Sequence, residues 1–268
     1  MTDTQALARQ IRIEALQMVQ RAKASHIGSA LSISDIIAVL YGKEMRLDPK
    51  QPDAPNRDRF ILSKGHACVA VYAALAETGF FPREDLLKYG HDHSVLMNHI
   101  SHKVAGVEFS TGSLGHGLPF GTGKALAANR RKQDWRTFVL LSDGELGEGS
   151  NWEAMMFAAH HQLDNLVAII DYNKLQSLTT VDKTLRVEPL ADKARAFGWA
   201  VREVDGHNHS ELTESLGSAP WEPGKPSFLI AHTTKGKGVG FMENSIDWHY
   251  KSPSTEQLAQ ALGELNHA

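Results

Sequence analysis

The sequence contains very little cysteine and no long apolar run. Its 268 residues include one cysteine, Cys68, so an intrachain disulfide framework is excluded. No stretch approaches the roughly 20 apolar residues that a membrane-spanning helix needs. The N-terminus, Met1 to Arg9, lacks the charged and then apolar segments of a secretory signal. We therefore expect a cytoplasmic protein that does not work on a membrane.

Neither sign of charge dominates the chain. It has 28 Lys and Arg against 31 Asp and Glu, a formal net charge of -3. This balance gives no general attraction to nucleic acid, so any anion-binding site must be local. With 42% hydrophobic residues, the chain can bury the core of one large domain or of two small ones. Because no linker or internal repeat divides it, we expect residues 1–268 to form a single domain that binds small molecules.

Short apolar runs that alternate with helical patterns predict a doubly wound α/β fold. Such strands are typical of a mostly parallel sheet with helices on both faces. The first helix is expected to begin at Thr2 or Asp3 and to end near Ala24. The other predicted helices are 35–41, an Ala-rich helix ending near Gly79, 151–163, 190–197, 209–216 and one opened by Ser254 or Thr255. The predicted strands are 60–62, 137–141, 166–170, 200–204 and 227–231.

Polar residues follow these strands, at the sheet edge where α/β proteins bind ligands. Asp143 comes after the second strand and Asn173 after the third. A carboxylate and an amide oxygen suit Mg²⁺, which commonly also takes phosphate oxygens. Gly144 lets the backbone approach a diphosphate closely, and the helix near Asn151 directs its positive end to the same edge. An Asp-Gly pair after a strand is by itself usually a turn, so the context decides.

That context resembles the thiamine-diphosphate (ThDP) motif, which begins Gly-Asp-Gly and ends in Asn. Residues 142–149 read Ser-Asp-Gly-Glu-Leu-Gly-Glu-Gly, and residues 171–175 read Asp-Tyr-Asn-Lys-Leu. Ser142 replaces the first Gly and Lys174 replaces a frequent second Asn, and neither change removes an expected metal ligand. The resemblance implies that Asp143, Asn173 and the carbonyl of Leu175 bind Mg²⁺, with Ca²⁺ or Mn²⁺ as substitutes.

Further segments resemble the transketolase branch of this family. They are residues 25–29 around His26, 62–67 around His66, and the glycine-rich stretch 106–117; His99 and His249 fall near two more histidine positions of the family. The resemblance spans almost the whole chain. It implies a ketol transfer in which four of the 14 histidines line the substrate channel, since imidazoles bind sugar hydroxyls and move their protons. The implied cofactor contacts are His66, Ser113, Leu114, Gly115, Gly144, Glu145, Asn173 and His249.

Other candidate residues have simpler explanations. Glu148 matches a family glutamate near the subunit interface and is grouped with the catalytic histidines, although a solvated carboxylate at a helix start explains it almost as well. Cys68 is expected to pack in the core. We expect ordinary hydrogen-bonded or surface roles for the remaining histidines, which are His91, His93, His102, His160, His161, His207 and His209. The pairs His91/His93 and His160/His161 have no Cys or Glu partner at ligand spacing, so they do not indicate a zinc site.

The resemblance also implies a partner. Full-length transketolases continue into a pyrimidine-binding domain and a C-terminal domain, and this chain matches the first domain. The glutamate that protonates the cofactor's aminopyrimidine lies in the missing part. We therefore expect a separate C-terminal subunit, two copies of each chain, and sugar-phosphate substrates. A cloning boundary after Ala268 is the alternative explanation for the short chain.

Alternative functions fit the residues less well. A relative resembling 1-deoxyxylulose-5-phosphate synthase, or one acting on sulfosugar or apulose phosphate, stays open because most of the acceptor pocket belongs to the partner. An NAD-type site is disfavoured, since residues 115–121 lack a preceding apolar strand. The P-loop pattern fails at Leu118 and Ala125. A module that binds the cofactor without catalysis would be expected to lack the four histidines. All four are present, so this alternative is disfavoured.

Overall fold

A computed structural model describes residues 3–267, and a parallel sheet crosses their centre. Its strands are β1 (Arg59–Leu62), β2 (Thr137–Ser142), β3 (Leu166–Tyr172), β4 (Ala200–Asp205) and β5 (Ser227–His232). They lie in the order β1-β2-β3-β5-β4, and all four neighbouring pairs are parallel. The carboxyl ends of the strands therefore lie along one edge. The predicted α/β fold is confirmed.

Helices cover both faces of this sheet. They are α1 (Thr4–Ala22), α2 (Ile27–Val39), α3 (Cys68–Glu77), α4 (Gly117–Arg130), α5 (Gly149–His160), α6 (Val181–Thr184), α7 (Leu190–Ala196), α8 (His209–Gly217) and α9 (Thr255–His267). Asp3 caps α1 by accepting hydrogen bonds from the main-chain N–H groups of Gln5 and Ala6. Thr2, the other predicted cap, lies outside the described residues. No helix among residues 3–267 is long and apolar enough to span a membrane.

Two apolar cores lie on opposite faces of the sheet. Leu140 and Ile169 belong to one cluster of buried side chains, whereas Val139 and Ile170 belong to the other. Successive side chains of a strand point to opposite faces, so a strand buried on both sides must be apolar throughout. This is why the central strands appear in the sequence as continuous apolar runs.

Several predicted boundaries were wrong, and α4 was missed. Helix α2 begins at Ile27 rather than Asp35, and α5 begins at Gly149 rather than Asn151. Helix α4 tolerates Pro119 because N–H groups in the first turn of a helix have no partner within it. Gly121 is required by packing, since a Cβ there would lie 2.4 Å from Cγ2 of Val139. Gly121 therefore allows close contact between α4 and the sheet.

Candidate active site

A cavity of about 280 Å³ opens at the carboxyl ends of the strands. It brings together residues that sequence reasoning placed in separate motifs. Its lining includes the four histidines His26, His66, His99 and His249, and also Leu114, Asp143, Gly144, Asn173 and Leu175. The sequence predicted no role for six further lining residues, which are Ser29, Lys64, Gln176, Ser177, Lys235 and Tyr250.

The predicted metal ligands lie on the floor of this cavity. Residues Ser142 and Asp171 are paired across β2 and β3, so Asp143 and Asn173 leave neighbouring strand ends together. Asp143 is 1% exposed and accepts hydrogen bonds from the main-chain N–H groups of Gly144 and Lys174. The Oδ1 atom of Asn173 accepts a hydrogen bond from the N–H of Leu175 at 3.0 Å. The carboxylate and the amide oxygen therefore face one region.

Burial dominates the electrostatics of Asp143. Burial, together with the charge of Asp171, raises the pKa of this carboxyl from 3.8 to about 7. Hydrogen bonds from Lys174 and Gly144 oppose this rise but do not cancel it. A buried carboxylate without a matching charge is costly, and a bound cation supplies that charge. A cation bound at Asp143 would therefore stabilise its carboxylate.

Two buried lysines complete the floor. Lys64 is 1% exposed and donates to Asp171 at 2.5 Å and to the carbonyl of Ser29 at 3.2 Å. Lys235 is also 1% exposed and lies 3.0 Å from Nδ1 of His249. Burial, together with the charge of Lys64, lowers the pKa of Lys235 to about 8. An anion in the cavity would stabilise this poorly compensated ammonium group.

Four imidazoles form the wall above this floor. The ring centroid of His26 lies 5.0 Å from those of His66 and His249, and 5.9 Å from that of His99. His26 adopts a left-handed backbone conformation with φ of 73° before α2, and its N–H donates to the carbonyl of His249 at 2.7 Å. Such a conformation is uncommon for a residue other than glycine and is concentrated at functional sites. The backbone therefore directs His26 into the cluster.

The imidazoles are uncharged at neutral pH. Burial is the main cause, and it lowers the pKa of His26 to about 4 and that of His249 to about 3. Burial likewise lowers the pKa of His66 and of His99. A neutral imidazole can both donate and accept a hydrogen bond. The wall therefore presents paired donors and acceptors, which suit the hydroxyl groups of a sugar.

Close main-chain packing holds the glycine-rich segment 106–117 beside the cavity. A Cβ at Gly65 would lie 2.2 Å from the carbonyl oxygen of Thr111, so only glycine fits there. A Cβ at Gly112 would lie 3.2 Å from the ring of His99. The hydroxyl of Thr111 also donates to the carbonyl of Leu62. These contacts place Gly112 and Leu114 in the cavity lining.

The other residues predicted to contact the cofactor or take part in catalysis do not line the cavity. Glu145 is fully buried behind it, where its carboxylate accepts hydrogen bonds from Ser63 and from the N–H of Gly115. Burial raises the pKa of Glu145. Ser113 and Glu148 are exposed. Glu145 and Gly115 therefore support the wall, while Ser113 and Glu148 are available to an adjacent molecule.

Three residues have the structural roles expected of them. Cys68 is buried in α3, and burial raises the pKa of its thiol to about 12. His207 and His209 are both hydrogen-bonded to the buried carboxylate of Asp35, at 2.7 Å and 3.0 Å. The Nε2 atom of His207 also accepts a hydrogen bond from the N–H of Thr234 at 2.8 Å. This network holds the segment that leads to Lys235.

The residues present fit a metal bound to a diphosphate. Asp143, Asn173 and the Leu175 carbonyl offer hard oxygen ligands, which suit Mg²⁺ and Ca²⁺. Among residues 3–267, no three His, Cys, Asp or Glu side chains are grouped as metal ligands, so this site depends on amide and carbonyl oxygens as well. A Cβ at Gly144 would lie 2.8 Å from the Gln176 side chain. That glycine lets the Gln176 side chain approach the main chain next to Asp143 closely.

Comparison with known proteins gives one consistent result. Residues 3–265 match the family model for the thiamine diphosphate binding domain of transketolase. The chain is 43% identical over 251 residues to a subunit of the apulose-4-phosphate transketolase of Phocaeicola vulgatus, covering 94% of this chain and 89% of that protein. It is 39% identical to the 6-deoxy-6-sulfo-D-fructose transketolase subunit SqwG of a Clostridium species, covering 98% and 96%.

Longer transketolases match over part of their length. The fold superimposes on the crystal structure of transketolase from Campylobacter jejuni with a TM-score of 0.93 and 32% identity. This match covers 98% of the chain and 42% of that protein. Human transketolase is 38% identical over 259 residues, which are 96% of this chain and 41% of the human protein.

Proposed function

The chain belongs to the transketolase family through its thiamine-diphosphate-binding domain, and from this membership we propose that it is one of the two subunits of a split transketolase. The enzyme would transfer a two-carbon ketol unit from a ketose donor to an aldose acceptor. The observation that carries this proposal is the cavity itself, in which a floor of oxygen ligands and buried lysines meets a wall of four histidines.

The floor would hold the diphosphate end of ThDP. Asp143, Asn173 and the carbonyl of Leu175 would bind Mg²⁺, or Ca²⁺ or Mn²⁺ in its place. Lys235 would place its ammonium against phosphate oxygens, which would compensate its burial. When bound, ThDP supplies a carbon nucleophile and an electron sink, the chemistry needed to break and form ketose C–C bonds. This chain's contribution is to anchor and orient that group.

The wall would bind the sugar and move its protons. His26, His66, His99 and His249 are uncharged, so each can accept a hydroxyl proton at one ring nitrogen and donate from the other. His249 lies 3.0 Å from the ammonium of Lys235, and His66 and His249 would also contact the cofactor, together with Leu114 and Gly144. Ser113, Gly115 and Glu145 keep their proposed cofactor roles. The carboxylate of Glu145 accepts hydrogen bonds from Ser63 and from the N–H of Gly115, and these contacts favour support of the cavity wall.

The remainder of the active site would come from a partner subunit. Two relatives that the chain spans over most of their length are named as transketolase subunits, whereas the chain covers about two-fifths of human transketolase. We infer a partner with the pyrimidine-binding and C-terminal domains, which supplies the activating glutamate. Two copies of each chain would form a heterotetramer, with Glu148 near the interface between subunits.

The substrates would be sugar phosphates of the pentose phosphate type or specialised relatives. Apulose 4-phosphate and a sulfosugar are the alternatives favoured by the names of similar subunits. An activity resembling that of 1-deoxyxylulose-5-phosphate synthase is a further alternative. Residues 1–268 would act as one diphosphate-binding domain in the cytoplasm.

Mixing the chain with the product of a neighbouring gene tests this proposal. Ketol transfer should require both chains, ThDP and Mg²⁺, and full activity of this chain alone would refute the split between two chains. Asp143→Ala should abolish Mg²⁺-dependent ThDP binding while circular dichroism shows a folded chain. Asp92→Ala, at an exposed position, is the matched control. Unchanged ThDP affinity in Asp143→Ala would refute the metal site.

A second variant separates anchoring from proton transfer. His26→Ala should leave the dissociation constant for ThDP within about threefold of the wild-type value, because His26 lies in the wall and not among the floor ligands. Turnover of the donor ketose should fall by roughly 10² to 10⁴, the usual contribution of a positioned acid or base. Equal losses in cofactor affinity and turnover would contradict the assigned role of His26.

A further inference from the structure

Asp171 is the most highly connected side chain beneath the cavity. It lies at the end of β3 and is fully buried. Its Oδ2 atom accepts hydrogen bonds from Lys64, from the hydroxyl of Ser32 at 2.8 Å and from Nδ2 of Asn173 at 2.9 Å. Its Oδ1 atom accepts one from the hydroxyl of Thr233. One carboxylate thus joins α2, β3 and the segments after β1 and β5.

The contact with Asn173 settles which way its amide faces. An amide has an oxygen end and an NH₂ end of nearly equal size, and only the oxygen end can bind a cation. Because Asp171 accepts a hydrogen bond from Nδ2, the Oδ1 atom of Asn173 is directed away from it. There Oδ1 receives the N–H of Leu175. The reversed amide would place two oxygens against each other at Asp171.

Lys64 makes this arrangement possible in the buried interior. The ammonium of Lys64 lies 2.5 Å from the Asp171 carboxylate, and the hydroxyls of Ser32 and Thr233 also donate to it. An ionised carboxylate beside an ammonium group offers only acceptor oxygens. The contact between Asp171 and Lys64 thus favours the NH₂ end of the Asn173 amide at Asp171.

We propose that Asp171 is a positioning residue that keeps the amide oxygen of Asn173 directed at the metal. The inference rests on the proposed function, because it takes the metal site at Asp143 and Asn173 as given. Asp171 would not bind the metal itself. Groups that orient metal ligands typically contribute roughly 10-fold to 100-fold to metal affinity.

Mn²⁺ binding to the full chain in the presence of ThDP tests this role, measured by electron paramagnetic resonance of free Mn²⁺. Asp171→Asn keeps the shape of the side chain, but the new amide can either accept a hydrogen bond from Asn173 or donate one to it. The dissociation constant for Mn²⁺ should therefore rise roughly 10-fold to 100-fold. Ser32→Ala is the matched control, since it removes another hydrogen bond to Asp171 and leaves the Asn173 contact. Its dissociation constant should change less than about threefold.

An exchange of the two residues distinguishes positioning from a general structural role. In the double variant Asp171→Asn/Asn173→Asp, the carboxylate at position 173 has two equivalent oxygens and needs no orientation. Mn²⁺ affinity should return to within about threefold of the wild-type value. If Asp171→Asn alone does not fold, the double variant still tests whether Asp171 positions the amide of Asn173. A folded double variant that binds no Mn²⁺ overturns the proposal.

The two proposals fail in different ways. If the wild-type chain shows no Mn²⁺-dependent ThDP binding, the proposed function is wrong. If the wild-type chain binds and Asp171→Asn binds Mn²⁺ equally well, only the role of Asp171 is refuted. Neither readout requires turnover, so the result does not depend on identifying the sugar substrates.

Discussion

Replacing Asp143 with asparagine should weaken metal binding and yet stabilise the ligand-free chain. The side chain is 1% exposed, and burial with the charge of Asp171 raises its pKa from 3.8 to about 7. In the folded chain the carboxyl therefore holds a proton between about pH 4 and pH 7, whereas the unfolded chain has released it. The free energy of unfolding falls through this window as the pH rises.

The size of the effect follows from that shift. Moving the pKa from 3.8 to about 7 corresponds to roughly 4 kcal/mol of destabilisation above pH 7, at about 1.4 kcal/mol per pH unit. Asparagine avoids this cost because it does not ionise. It also loses one acceptor oxygen, and the N–H of Lys174 or Gly144 that is left unpaired costs about 1–3 kcal/mol. The variant should gain about 1–3 kcal/mol at pH 8.

Urea unfolding in EDTA at pH 5 and pH 8 measures this gain. At pH 5 the raised pKa of Asp143 lowers the free energy of unfolding of the wild type by about 2 kcal/mol. This is similar to the cost of the acceptor oxygen that asparagine lacks, so the variant should be little or no more stable than the wild type. Asp92→Asn, at an exposed position, should change the free energy of unfolding by less than about 0.5 kcal/mol at either pH. A variant at Asp143 that is less stable than the wild type at pH 8, or whose gain is the same at both values, would refute the reasoning.

Three further predictions concern the floor, its support and the wall. Lys235→Met should weaken ThDP binding roughly 10-fold to 100-fold in calorimetry with Mg²⁺, the loss expected for a hydrogen bond to a charged group; unchanged affinity would remove Lys235 from the site. His207→Ala leaves the N–H of Thr234 without its acceptor and should lower the free energy of unfolding by about 1–3 kcal/mol in urea titrations. The imidazole NMR signals of His26 should not titrate between pH 5.5 and pH 8, since partial burial lowers its pKa to about 4; a midpoint near pH 6.5 would contradict this effect of the histidine cluster.

The sheet and the proximity of Asp143 to Asn173 could be predicted because they depend on local patterns. Each apolar run is bounded by polar residues, and parallel strands bring their carboxyl ends to one edge. Asp143 and Asn173 could therefore be placed together although 30 residues separate them in the sequence. The family resemblance added the histidines, whose convergence follows from no spacing within the chain.

Lys64, Asp171 and Lys235 were missed as a group for a physical reason. Lys64 and Asp171 stand within the segments that resemble the family and Lys235 follows the last strand, but their importance comes from burial and from contacts across 60 or more residues of sequence. A lysine in a sequence is normally a surface residue, and nothing nearby indicates that it is buried. Helix α4 was missed because Gly and Pro usually interrupt helices. In this fold Gly121 permits close contact between α4 and β2, and this contact between distant segments cannot be seen in the local sequence.

The floor and the wall of the cavity are electrostatically coupled. Burial is the largest cause of the lowered pKa of His26 and His249, and the charges of Lys235 and Lys64 lower both values further. The lysines that favour a bound diphosphate thus also help to keep the imidazoles neutral. A diphosphate would offset part of that positive charge and raise the proton affinity of the wall. Cofactor binding would therefore move the histidines toward the pH range in which an imidazole exchanges protons most readily.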